Sequence, residues 1–108
     1  MKYNSYISFS AEEIPVKFEV KLGNDIFVLG INHNREFNFL TVDLFDVNKN
    51  SIVLGEKLLL RQPLFEGLVD SRLPAPTIIP YDNSNMEQRA TILNICKTVF
   101  LYIDDGGV

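Results

Sequence analysis

The sequence predicts a mainly β domain, a small antiparallel β-barrel or β-sandwich with at most one short helix. Three observations predict it. Val16, Phe18, Val20 and Leu22 alternate with Lys17, Glu19 and Lys21, and a period of two puts one set on each face of a strand. The stretch from Phe37 to Leu58 reads as two strands about a polar turn, with Leu40, Val42 and Leu44 set against Thr41, Asp43 and Phe45. Eight Phe and four Tyr with no Trp, in a chain that is 46% hydrophobic, favour pleated surfaces, where aromatic and β-branched side chains pack well. At 108 residues there is room for one domain around one core. The expected organisation is an N-terminal arm or edge strand over residues 1–13, the β domain over 14–103 and a flexible tail over 104–108.

Taken in order, Tyr3 to Phe9 alternates loosely and fits a short strand or an ordered arm, and Ala11-Glu12-Glu13 is a polar connector. Pro15 opens the Val16–Leu22 strand, where a missing backbone donor is tolerated. Gly23-Asn24-Asp25 is a hairpin turn, because Gly and Asn supply positive φ at little steric cost. Ile26 to Ile31 is the return strand, and Gly30 within it predicts a bulge or a close backbone approach. A polar loop, Asn32 to Glu36, leads to the central hairpin, whose turn is Asp46-Val47-Asn48-Lys49-Asn50 and whose second strand resumes at Ser51 to Leu54.

After Gly55 the texture changes. Lys57 to Gln62 fits a strand end or a single helical turn, stopped by Pro63 either way. Leu64 to Arg72 carries apolar Leu64, Phe65, Leu68 and Val69 about Gly67, and Leu73-Pro74-Ala75-Pro76 is extended, since a residue before proline is pushed out of the helical region. Thr77-Ile78-Ile79 is a short strand closed by Pro80. Ser84 followed three residues later by Glu87 fits a capping box and predicts a short helix with Met86, Ala90 and Leu93 on one face. The β-branched Thr91, Ile92 and Ile95 weigh against it. Thr98 to Ile103 closes the domain as a last strand, with Val99, Leu101 and Ile103 opposite Phe100 and Tyr102.

Composition excludes several function classes. The net charge is −4 with both signs interspersed, so no basic stripe exists to neutralise phosphates, and nucleic-acid recognition is not expected. The longest apolar runs are a few residues, against about 20 for a membrane-crossing helix. The opening MKYNSYISFS lacks the apolar core of a signal peptide, so synthesis in the cytosol is the expectation. Cys96 is the only cysteine, which rules out an internal disulfide and a cysteine zinc site; in its apolar context it reads as an inert thiol. His33, the only histidine, lies between Asn32 and Asn34 and reads as a solvated loop residue. Asp43 and Asp46 form the nearest carboxylate pair, on a strand face and at a turn cap. No nucleophile elbow and no phosphate-cradling glycine loop is present, and no cofactor is expected.

Two stretches point to partners. The Leu58-Leu59-Leu60 and Leu64-Phe65 cluster is more apolar than a connection between strands needs, and reads either as core or as a contact surface. The segment Leu73 to Pro80 either crosses one end of the fold or lies as an extended arm on a neighbouring chain.

The order of these pieces resembles the small tail-baseplate plug proteins of phages and phage-like contractile particles. In that family a strand ending near a D-L-Y-D sequence, a polar turn and a P-L-V-x-G strand form the central hairpin. Asp43-Leu44-Phe45-Asp46 and Ile52-Val53-Leu54-Gly55 match them here. The family's later L-L-R and L-P-led segments are matched by Leu59-Leu60-Arg61 and by Leu73-Pro74 through Asp82. The resemblance covers Ile14 to Ile103; Ala75-Pro76 stands where the family has a glycine after its L-P pair, and Asn83 to Cys96 is a longer insert than usual.

The resemblance implies a non-enzymatic structural role, with no catalytic residue or cofactor to carry over. It implies a β domain at the hub of a tail baseplate, closing or lining the channel, in a symmetric multi-copy assembly with other baseplate and hub proteins. It also implies a place in the particle tail and synthesis in the bacterial host cytoplasm. The residues taken as partner contacts are Leu64, Phe65, Leu73, Pro74, Pro76, Ile78, Ile79 and Pro80, with the two termini. The alternative is a free-standing small β-barrel that binds a peptide or small ligand, and an enzyme ranks last.

Overall fold

Alternation along the chain becomes two antiparallel sheets in the computed structural model, which describes residues 5–104. After a two-residue strand β1 (Tyr6–Ile7) and a single 3-10 turn (Ala11–Glu13), four strands follow as a meander: β2 (Val16–Leu22), β3 (Asp25–Asn34), β4 (Phe39–Asp46) and β5 (Ser51–Lys57). They pair in sequence order. Two later strands, β6 (Thr77–Tyr81) and β7 (Phe100–Asp104), join β1 in a second sheet of order β1-β7-β6. The sheets do not close into a barrel, so the sandwich is the alternative that the fold fits. Tyr3 and residues 105–108 of the expected tail lie outside the described residues, whereas Asp104 is the last residue of β7.

One cluster of buried side chains serves both sheets. Leu22, Phe27, Leu29, Ile31, Leu40, Val42 and Leu44 come from the meander, and Ile7, Ile78 and Leu101 come from the second sheet. Leu58, Leu64, Phe65, Ala90, Ile95 and Val99 complete it from the connections. Each such side chain removed from water contributes about 1.5–3 kcal/mol, which is why the period-two pattern decides the facing of every strand. No helix among the described residues is long and apolar enough to cross a membrane.

Four local expectations are corrected. At the β2–β3 turn only Gly23 has positive φ, +66°; Asn24 does not share it. Gly30 sits in unbroken register opposite Lys17 and Asp43, and a Cβ there would make ordinary 3.5 Å contacts. The register shifts lie instead on the β4–β5 pair, around Leu44. Pro80 does not close β6 but belongs to it, paired with Leu101. Its carbonyl faces away from β7 and accepts from Arg61 N–H at 2.7 Å, so its missing N–H lies on that same outer side, where no ladder bond is lost.

The helix predicted after Ser84 does not form, and Met86 and Leu93 are exposed while Ala90 is buried. The reason is Asp82. Its carboxylate accepts from the N–H groups of Ser84, Met86 and Glu87 at 2.8–3.0 Å and from Ser84 Oγ at 2.6 Å. Glu87 in turn accepts from Thr98 Oγ1 rather than reaching back to Ser84. A charged acceptor two residues upstream outcompetes a hydroxyl cap and ties the chain into turns.

Candidate functional site

The long connection from Leu58 to Pro76 is built to wrap an edge. Leu58 N–H bonds Leu40 O at 2.9 Å, ending the β5 side; Arg61 and Leu64 N–H then bond Pro80 and Ile78 O at 2.7 and 2.8 Å. These bonds satisfy the outer edge of β6 with chain from the same molecule. Arg61, Phe65 and Gly67 all take positive φ, which is how the connection folds back on itself within a few residues. Phe65 N–H donates to the Glu56 carboxylate on β5. Farther on, Arg72 grips Asp70 through two side-chain bonds at 2.8 and 3.1 Å and reaches Ser51 O on β5 at 3.3 Å. The Arg72 side chain, donating to Asp70, holds that carboxyl at about 2, well below its usual range.

The eight residues expected to meet partners divide between two environments. Leu64, Phe65, Ile78, Ile79 and Pro80 are buried within the chain itself, whereas Leu73, Pro74 and Pro76 are half-buried. A groove of about 260 Å³ brings Leu64, Phe65, Leu73, Pro74, Pro76 and Ile78 together, while Ile79 and Pro80 stand outside it. Ile79 pairs with Tyr102 on β7. Of the leucine run, Leu58 joins the core and Leu59 is exposed. Beyond the groove the same connection presents Leu68 and a fully exposed Val69, and β5 presents Leu54.

A second apolar surface lies on the other sheet. On the outer face of the β1-β7-β6 sheet, Tyr6 lies 4.6 Å from Phe100 and 5.9 Å from Tyr102 between ring centroids, and Tyr81 lies 6.5 Å from Tyr102. Phe100 and Tyr102 already stood on one face in the sequence pattern. What the sequence did not reveal is that Tyr6, far away in the chain, pairs with Tyr102.

The polar groups with chemical potential are engaged structurally. His33 Nε2 meets Asn38 Oδ1 at 3.0 Å. Asp43 accepts from Asn32 Nδ2 at 3.0 Å and from Gly55 N–H at 2.7 Å, pinning the irregular β4–β5 pair. Asp46 accepts from the N–H groups of Asn48 and Asn50 at 2.9 Å, which closes the hairpin turn and lowers its pKa, the Asn50 backbone bond being the largest cause. Cys96 Sγ donates to Phe9 O at 3.3 Å, and burial pushes its thiol up. Among the described residues no group of three or more His, Cys, Asp or Glu side chains is placed to hold a metal ion.

No curated protein and no solved structure matches the chain. A family model described as the cyanophage baseplate Pam3 plug gp18 matches residues 4–106, which takes in both sheets and every connection between them. The chain therefore belongs to the cyanophage baseplate plug family.

Proposed function

We propose that the chain is a non-catalytic structural component that plugs or lines the central hub channel of a tail baseplate, in several symmetry-related copies set against other baseplate and hub proteins. The observation that carries this reading is the family match over residues 4–106, because it follows the whole sandwich rather than one motif. The chemistry is consistent with it: the carboxylates of Asp43, Asp46 and Asp82 are occupied by hydrogen bonds within the fold. Function on this reading is packing, and the groove lined by Leu73, Pro74 and Pro76 with the neighbouring Leu68 and Val69 is the surface that offers it. The chain then resides in the particle tail after synthesis in the host cytoplasm, with no nucleic-acid recognition and no membrane insertion.

The test is a side-chain-resolution reconstruction of the intact particle together with mass spectrometry of purified tails. The expected result is density for both sheets at the axial hub and the chain present in stoichiometric amounts. Purified tails that lack the chain, or that carry it away from the axis, overturn the reading.

A further inference from the structure

Of the fold's four sheet edges, one is sealed, one is bulged, one is only two residues long, and one is long and regular. The outer edge of β6 is sealed by Arg61 and Leu64, and β5 is bulged and gripped by Arg72. At the second sheet's other edge, β1 has only two residues. By contrast β2 runs seven residues in unbroken register with β3 and, among the described residues, has no strand on its other side. The two-residue β2–β3 loop makes Leu22 and Asp25 the hydrogen-bonded closing pair. Bonding to β3 then alternates back through Val20, Phe18 and Val16. The backbone N–H and C=O groups of Lys17, Glu19 and Lys21 therefore point to the open edge.

We propose that this edge is an interface with a second copy of the chain, two β2 strands pairing antiparallel about a two-fold axis through Val20. Charge complementarity selects this register. Centring on Val20 sets Glu19 opposite the partner's Lys21 and Lys21 opposite the partner's Glu19, both as hydrogen-bonded pairs. Centring on Glu19 would oppose Glu19 to itself and Lys17 to Lys21, which repels. Centring on Phe18 would use Lys17, whose ammonium is already drawn 4.5 Å over the Phe45 ring across the side-chain-free Gly30. Glu19 and Lys21 make no ion pair within the described residues. The two four-stranded meanders would thus form one continuous eight-stranded sheet, covering the half-buried Phe18 and Val20. This pairing rests on the edge geometry and not on the baseplate reading, so either can fail alone.

Sedimentation velocity on the full chain over a concentration series, with amide hydrogen exchange, tests it. A reversible dimer is expected, and its formation slows exchange of the Glu19 and Lys21 amides. Glu19→Lys places like charges opposite each other twice and weakens the dimer about tenfold or more. Glu19→Lys/Lys21→Glu exchanges the partners and restores it. Circular dichroism of each variant checks that the sheets persist. A chain that stays monomeric up to about 1 mM overturns the proposal. So does a dimer indifferent to Glu19→Lys, or a particle in which another protein's strand occupies the β2 edge.

Discussion

Gly23 and Gly30 look alike in the sequence, each a single glycine beside strand residues, yet they do different work. Gly23 holds φ at +66°, and a Cβ there would come within 3.3 Å of Pro76 Cδ. Left-handed backbone costs an L-residue about 1–2 kcal/mol, so Gly23→Ala should destabilise the domain by about that much, and more if Pro76 must shift. Gly30 has no positive φ and space for a methyl group in ordinary contact with Lys17 and Asp43. Gly30→Ala should therefore stay within about 1 kcal/mol of the parent and is expected on the stabilising side, since it removes freedom from the unfolded chain. Urea melts of the two variants decide the matter; equal losses would mean that Gly30 is also a tight approach.

At the scale of the element, the connection between β5 and β6 makes the partner-contact reading testable without disturbing the fold. Val69 is fully exposed, so Val69→Asp should leave the melting temperature within about 2 °C of the parent, as surface changes do. If the connection meets a neighbour, the same change buries a charge at a contact and lowers incorporation of the chain into tails, read by quantitative mass spectrometry. Unchanged incorporation would move the contact surface elsewhere, with the aromatic face of Tyr6 and Phe100 next in line. The elements themselves were legible to different degrees. β2 and the β4–β5 hairpin were readable because their order comes from alternation, which one-sided burial enforces residue by residue. The stretch after Tyr81 was not, because its order comes from single side chains: Asp82 organises Ser84 to Glu87, and Asn94 accepts from Thr91 N–H while donating to Arg89 O. A capping-box pattern carries no information about a stronger acceptor two residues before it. Where the proposed contact residues sit in the fold was half legible for a related reason. Apolar character marked Leu64, Phe65, Ile78 and Ile79, but whether such residues face the chain's own core or a neighbour depends on which edge the connection wraps.

The molecule as a whole unfolds as one unit if its core is shared as described, since Leu44 from one sheet and Leu101 from the other belong to a single cluster. Far-UV and near-UV signals should then lose structure together on heating. That single transition makes the response to acid readable. Asp82 is held at about 2, chiefly by the Ser84 hydroxyl, and Asp70 at about 2 by the Arg72 side chain. In the unfolded chain both return to near 3.9. A carboxyl with a depressed folded pKa contributes stability that is complete above its unfolded value and disappears as pH falls towards its folded one. The melting temperature should therefore hold steady from pH 7 to about 5 and fall progressively between about pH 4 and 2. Asp70 lies on the surface, where solvent and salt screen its pair with Arg72, so the larger part of the slope is assigned to Asp82. Asp82→Asn should lower the melting temperature at pH 7, because an amide is a weaker acceptor for three backbone N–H groups. It should also flatten the decline in acid. A variant that loses stability at pH 7 but keeps the full acid slope would shift the titrating group to Asp70 or Asp46, and Arg72→Ala would then flatten the curve instead.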